Sequence, residues 1–260
     1  MGILNVTPDS FSDGGRFVDL DDALRQAEQM AEQGADIIDV GGESTRPGAA
    51  AVGLDEEMAR VLPVIERLHA ALDLPLSIDT SKPEVMRAAV AAGAAMINDV
   101  SALHAPGAIE AAAETGAAVC LMHMQGEPRT MQSSPQYDDV VADILKYLDG
   151  RIAACVAGGV ARGRLLVDPG FGFGKTLAHN LALLGGLERF RELGLPVLVG
   201  ISRKSMLGAV TGRDVDERLA ASIAAAVMAV ERGASVIRVH DVAATVDALR
   251  LWCAVRDQQG

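Results

Sequence analysis

The segment Leu74-Pro75-Leu76-Ser77-Ile78-Asp79-Thr80-Ser81-Lys82-Pro83-Glu84-Val85-Met86-Arg87-Ala88-Ala89-Val90-Ala91-Ala92-Gly93-Ala94-Ala95-Met96-Ile97-Asn98-Asp99 contains one complete structural unit and the opening of the next. Leu74–Ile78 is a short aliphatic run with the length of a buried strand. Asp79 ends it. Pro83–Ala92 reads as a helix, with proline in the first turn, where its missing N–H costs nothing, and Gly93 as the stop. Ala94–Ile97 is a second apolar run, closed by Asn98 and Asp99. The unit is strand, polar turn, helix, strand.

The same unit recurs along all 260 residues. Apolar runs at Met1–Leu4, Asp36–Val40, Ala117–Met122, Arg164–Val167, Pro196–Val199 and Ser235–Val239 predict further strands. The intervening stretches predict helices over Asp21–Gln33, Leu54–Leu72, Ala108–Glu114, Tyr137–Ala157, Asn180–Leu193, Asp216–Glu231 and Val242–Val255. Strands and helices in strict alternation imply parallel pairing. A closed barrel and an open doubly wound sheet both satisfy it. Even spacing, and the lack of a glycine-rich dinucleotide turn, favour the closed form, an α/β (β/α)8 TIM barrel. No composition shift marks a linker, so residues 1–260 are expected to form one domain.

Half of the residues are hydrophobic and only 3% are aromatic, so the core must be aliphatic. That suits parallel strands covered by helices. The net charge is −12 and no run of Lys or Arg occurs, which excludes the basic footprint of a nucleic-acid binder. Cys120, Cys155 and Cys253 are far apart and form no CxxC, so they are expected to be reduced and structural. The start Met1-Gly2-Ile3-Leu4-Asn5 has no basic segment ahead of an apolar one, and Val6 stands where a myristoylation signal needs Ser or Thr. No stretch is apolar enough to span a bilayer. A cytoplasmic enzyme with no nucleic-acid or membrane partner is expected.

In such barrels chemistry gathers at the C-terminal ends of the strands. Here those ends carry Asn5, Asp39, Asp79, Asn98-Asp99, His123, Asp168, Ser202-Arg203-Lys204-Ser205 and Arg238-Val239-His240-Asp241. A single strand-end Asp is usually a turn or helix cap. Eight polar ends on one rim share a focus. Asp79, Asn98 and Asp168 offer short hydrogen-bonding groups, and a carboxylate pairs with an N–C–N edge such as that of a pterin or guanine. Arg46, Lys204, Arg238 and His240 suit a phosphate or carboxylate. The expected ligand is a heterocycle carrying an anion.

These residues lie in segments that resemble the dihydropteroate synthase family, the pterin-binding TIM barrels. Leu4-Asn5-Val6-Thr7-Pro8-Asp9-Ser10-Phe11-Ser12-Asp13-Gly14-Gly15 is similar to its first signature, and Asp39-Val40-Gly41-Gly42-Glu43-Ser44-Thr45-Arg46-Pro47-Gly48 to its second. Asp79–Lys82, Ile97–Val100, Leu121–Gly126, Asp168–Lys175, Ser202–Ser205 and Arg238–Asp241 follow in family order. The resemblance runs from Met1 to about Leu251.

The resemblance implies a folate-pathway transferase. It would condense 6-hydroxymethyl-7,8-dihydropterin diphosphate with p-aminobenzoate, give 7,8-dihydropteroate and pyrophosphate, and be a sulfonamide target. It implies Mg2+ as cofactor with Asn5 as ligand. Thr45, Asp79, Asn98, Asp168, Lys204, Arg238 and His240 would contact the pterin diphosphate, and Asp79, Lys204, Arg238 and His240 would act in catalysis. Arg46, Pro47, Phe173 and Ser205 would form the p-aminobenzoate subsite, Ser205 at a helix N-terminus that favours anions. Phe11 and Asp13 belong to a first loop that closes over the site. A homodimer through the late helices is implied. Family members carry a strand pair before the first barrel strand, whereas this sequence opens inside that strand, so the barrel floor is expected to be less well plugged.

Other readings remain at this point. Gly170–Thr176 is not a phosphate-binding GxxxxGK[ST] loop, because Pro169 occupies the first glycine position. Lys175 reads as a loop residue and His123 as a packed one, while His69, His104 and His179 read as surface residues. The Ala-rich Leu219–Val230 stripe reads as a packing or subunit face. A pterin-dependent methyltransferase barrel would share Asp79, Asn98 and Asp168 but has no use for Asn5, Ser205 or the Arg238/His240 pair. A non-catalytic pterin-binding relative would have lost some anion-binding residues, and none is missing.

Overall fold

A computed structural model describes residues 1–6, 16–43, 51–126 and 130–258, with the side chains of 16–19 outside the description. The strands are β1 (Gly2–Asn5), β2 (Ile38–Gly41), β3 (Leu76–Asp79), β4 (Ala94–Asp99), β5 (Ala118–Met122), β6 (Leu165–Asp168), β7 (Leu198–Val199) and β8 (Val236–Ile237). The α-helices are α1 (Arg16–Glu32), α2 (Leu54–Ala71), α3 (Pro83–Ala91), α4 (Ala108–Thr115), α5 (Val140–Ala157), α6 (Leu177–Gly185), α7 (Ser205–Thr211), α8 (Leu219–Glu231) and α9 (Val242–Asp257).

All strand pairs are parallel, in the order β1 to β6, with β7 paired to β8. Two bridges close the ring: Val167 to Val197 joins β6 to the β7 chain, and Gly2 to Val239 joins β8 to β1. The second is cemented by Ile3 N–H to Val239 O (3.0 Å) and Val239 N–H to Met1 O (3.0 Å). The expected barrel is therefore closed.

Alternation along each strand divides the core. Leu4, Ile38, Val40, Ile78, Ile97, Val119, Leu121 and Val167 face the helices in one continuous apolar cluster. Their neighbours face the barrel axis. Low in the barrel, Met1, Met96, Cys120 and Leu198 form a second small cluster. Above it the inward positions turn polar: Asp39, Ser77, Asn98 and Asp168 are all buried.

Several boundaries differ from expectation, among them an α1 that starts at Arg16 and an α8 that starts only at Leu219. The predicted helix over Asn180–Leu193 is divided into α6 and a 3-10 turn at Leu187–Leu193. The cause is local: Thr176 and His179 form a reciprocal cap that starts α6 early, and Gly185-Gly186 end it. The helix expected from Tyr137 begins at Val140, where Asp139 accepts from Val141 N–H (2.9 Å) and Ala142 N–H (3.1 Å). A further short helix, α7, follows β7, so nine α-helices occur among the described residues.

Candidate active site

Arg238 occupies the centre of the rim. It leaves the end of β8, and its Nε donates to Asp39 Oδ2 (2.6 Å) while Nη2 donates to Asp79 Oδ2 (2.9 Å). Asp39 Oδ2 also accepts from Asn98 Nδ2 (3.1 Å). Two strands thus present carboxylates to one guanidinium, and a third joins them through the Asn98 amide on Asp39. Burial works against the charge of Arg238, but Asp39 and Asp79 outweigh it and hold it protonated beyond the usual arginine range. Burial pushes the Asp79 carboxyl well above the usual carboxylate range, opposed by Arg238 and helped by Asp39. A carboxyl that exchanges between charged and neutral forms near neutrality is suited to a ligand whose charge changes during reaction.

Asp168 stands on the far side of the ring. Its Oδ1 accepts from Gly170 N–H (2.7 Å), and burial raises its carboxyl against the pull of Lys204. Lys204 donates to Phe171 O and lies 4.5 Å from the Phe173 ring centroid. Burial pushes Lys204 down to about 8, although Asp168 works the other way. One ammonium therefore interacts electrostatically with the carboxylate at β6 while it sits over the aromatic wall of the loop that follows.

That loop is shaped by Gly170, Lys175 and His123. Gly170 has φ 71°, and a Cβ there would lie 1.9 Å from His123 O, so only glycine allows the turn. Buried Lys175 donates to Gly170 O (2.8 Å) and Phe173 O (3.0 Å) and meets His123 Nδ1 at 3.0 Å. Burial pushes Lys175 down to about 7 and His123 down to about 3, with Lys175 adding to the latter. Lys175 is thus a loop residue and His123 a packed one, as expected, but together they brace the segment that carries Asp168 and Phe173.

The β7 loop is braced as well. Arg203 has φ 58°, a left-handed conformation that costs a non-glycine residue free energy. Its Nε and Nη2 engage both oxygens of Asp241, its N–H donates to Ser222 Oγ (3.0 Å), and its carbonyl accepts from Arg218 Nη1 (3.0 Å). Next to it, His240 Nδ1 lies 3.0 Å from Ser202 Oγ. Ser205 is exposed at the start of α7, adjacent in the chain to Lys204.

The structure therefore brings together Asp79, Asn98, Asp168, Phe173, Lys204 and Arg238, with His240 and Ser205 on the adjoining loops. Asn5 ends β1, opposite Gly41 in register. A Cβ at Gly41 would lie 3.7 Å from Asn5 Oδ1 and 3.6 Å from Asp79 Cβ, so glycine leaves open the space between the amide and the carboxylate. Among the described residues no group of three or more His, Cys, Asp or Glu could enclose a metal. A single amide oxygen facing an open space fits Mg2+, which keeps most of its waters and takes anionic ligands from a substrate. Phe11, Asp13, Thr45, Arg46 and Pro47 lie outside the described residues.

Not every strand-end residue faces the site. Asp99 turns into its own loop, accepting from Ser101 N–H (2.8 Å) and Leu103 N–H (2.7 Å). Asp241 is taken up by Arg203. Asp39, in contrast, was read only as a strand end, and it contacts two site residues. Lys82 joins Glu43 (2.6 Å) to buried Glu57 at the root of the β2 loop.

A closed barrel with two carboxylates, an amide and two cations at its C-terminal rim defines a barrel enzyme for an anionic heterocycle. The family model described as pterin binding enzyme matches residues 1–240, and the chain belongs to that family. It is 56% identical over 251 residues to dihydropteroate synthase of Escherichia coli strain K12, covering 96% of this chain and 89% of that protein. The solved Xanthomonas albilineans dihydropteroate synthase with 4-aminobenzoic acid is similar at a TM-score of 0.93 and 57% identity, covering 98% and 92% of the two chains. The same organism's enzyme in complex with 7,8-dihydropteroate matches at a TM-score of 0.90 and 54% identity, covering 98% and 92%.

Proposed function

We propose that this protein is a transferase that condenses 6-hydroxymethyl-7,8-dihydropterin diphosphate with p-aminobenzoate to give 7,8-dihydropteroate and pyrophosphate. The observation that carries the reading is Arg238 held between Asp39 and Asp79, on the same rim as Asn98, Asp168 and Lys204. That ring offers acceptors for a 2-amino-4-oxo edge and cations for a leaving diphosphate. Relatives and solved structures carrying the synthase name support it.

The assigned roles follow from the chemistry of each group. Asp168 accepts from the 2-amino edge, and Asn98 supplies a neighbouring contact. Lys204 meets the pterin oxygen or ring nitrogen. Arg238, His240 and Thr45 hold the diphosphate, so negative charge on the departing pyrophosphate meets fixed cations and donors. Asp79 balances positive charge on the pterin as the C–O bond breaks. The p-aminobenzoate amine then forms the C–N bond and gives up a proton, while Ser205 holds its carboxylate and Phe173, Arg46 and Pro47 wall the subsite. Asn5 is the group that would hold Mg2+, which when bound offsets diphosphate charge. Phe11 and Asp13 exclude water from the cation. The active form is proposed to be a homodimer in the cytoplasm.

The pterin site is tested by calorimetric titration with 6-hydroxymethylpterin, which carries the ring edge without the leaving group. One-site binding that the pterin diphosphate displaces is the expected result. No binding would contradict the assignment.

A further inference from the structure

Asp39 has no part in the scheme above, yet it is fully buried and lies one inward position below the rim on β2. One of its oxygens, Oδ2, accepts both from Arg238 Nε (2.6 Å) and from Asn98 Nδ2 (3.1 Å). The other, Oδ1, makes no hydrogen bond to a described group, and neither does Ser77 Oγ, its partner in register on β3. A buried carboxylate oxygen without a partner is costly. Its burial is offset by what the other oxygen holds.

An asparagine amide has a donor end and an acceptor end of nearly equal shape, and its environment selects the orientation. A carboxylate has no proton to give. Asp39 therefore accepts the Nδ2 end of Asn98, and the Oδ1 end is turned the other way. We propose that Asp39 is a positioning residue that fixes which end of Asn98 meets the heterocycle: Asn98 presents its carbonyl oxygen, so the pocket selects ring edges that donate an N–H at that point and disfavours edges that accept there. This rests on the reading of Asn98 as a pterin contact. Arg238 completes the device. Its guanidinium donates to the same oxygen and restrains the carboxylate beside the amide.

The test is a double-mutant cycle read by calorimetric titration with 6-hydroxymethylpterin. Asp39→Ala is expected to weaken binding about tenfold, the scale of one oriented hydrogen bond. In an Asn98→Ala background the same change is expected to cost less than about twofold, because the two act as one unit. Asp39→Asn, whose amide oxygen still accepts from Asn98 but carries no charge, is expected to recover most of the affinity. Ser77→Ala, in the same layer but in contact with neither residue by any hydrogen bond, is expected to bind as the parent does. Additive losses in the cycle would overturn the inference, as would an Asp39→Asn variant as weak as Asp39→Ala. Loss in Ser77→Ala equal to that in Asp39→Ala would overturn it too, since the layer's polarity alone would then be at work. An Asn98→Ala variant with parental affinity would instead remove Asn98 from the pterin site and the inference with it. Should the Asp39 variants not fold, a neutron structure of the parent protein with the pterin bound decides the same point. Asn98 Nδ2 on Asp39 and Oδ1 on a ring N–H is expected, and the reversed amide would overturn the proposal.

Discussion

Asp168 accepts from a ring edge only while it keeps its lone pairs. Asp168→Asn replaces one acceptor by a donor inside a buried pair, and leaving such a group mispaired costs roughly 1.5–3 kcal/mol. The affinity for 6-hydroxymethylpterin is therefore expected to fall by about one to two orders of magnitude, with the thermal midpoint little changed. Parental affinity would remove Asp168 from the site. The charged groups set a pH profile as well. Asp79 must lose its proton to balance a cation, and burial raises its carboxyl, so the acid limb of kcat/KM is expected above the range of a free carboxylate. Lys204 must keep its proton and is held down to about 8, so kcat/KM is expected to fall as pH rises through that value. In Lys204→Arg the guanidinium stays charged. The alkaline limb should then leave the range between pH 7 and 9, and a limb that stays in place would assign it to another group. These side chains were legible in the sequence because each stands at the end of an apolar run. Asp39 was not. It differs from a capping aspartate through Asn98 and Arg238, residues 59 and 199 positions away.

At the scale of the element, the segment between β6 and α6 behaves as one built piece. Lys175 holds the carbonyls of Gly170 and Phe173 and meets the ring of His123. Asn180 adds a bond to Gly172 N–H (2.7 Å), and Tyr137 one to Gly174 O (2.8 Å). Lys175→Met would leave buried carbonyls without a donor, at a cost of about 1–3 kcal/mol per group. A lower thermal midpoint is expected, with a rise in KM for p-aminobenzoate larger than that for the pterin diphosphate, because Phe173 is displaced more than Asp168, which keeps its bond from Gly170. Equal rises in both would contradict that division. The sequence allowed the phosphate-loop reading of this segment to be rejected. It did not show what Lys175 holds, since His123 lies on another strand and the glycine conformations that aim the carbonyls are tertiary. The divided helix after it was hidden for a simpler reason: the apolar spacing of Leu183, Leu184, Leu187 and Phe190 carries on across the Gly185-Gly186 break.

For the whole molecule, alternating apolar runs and helical stretches were enough to expect parallel strands covered by helices, and even spacing without a glycine-rich dinucleotide turn favoured the closed barrel over an open doubly wound sheet. Closure itself rests on the β8 to β1 bridge, between residues too distant in sequence to be paired by pattern. The outer face of the last helices leaves Val210, Val215, Leu219, Met228, Leu251 and Val255 exposed, while Ala225, Ala226 and Ala229 are buried within the chain. One side of the small-residue stripe is thus internal packing, while Ala220 and Ala224 on its other side are exposed with the larger side chains of the proposed subunit face. Sedimentation is expected to give a dimer, and Leu251→Asp a shift toward monomer. A monomer at all concentrations would remove that face from the assembly. No helix among the described residues is long and apolar enough to cross a membrane. Every role assigned to these side chains belongs to one reaction at one rim. The most direct test follows pyrophosphate and 7,8-dihydropteroate together on mixing the protein with the pterin diphosphate and Mg2+, with and without p-aminobenzoate. Sustained release in the presence of p-aminobenzoate, with one dihydropteroate formed per pyrophosphate, is the expected result. Pterin binding with no release under either condition would contradict the account.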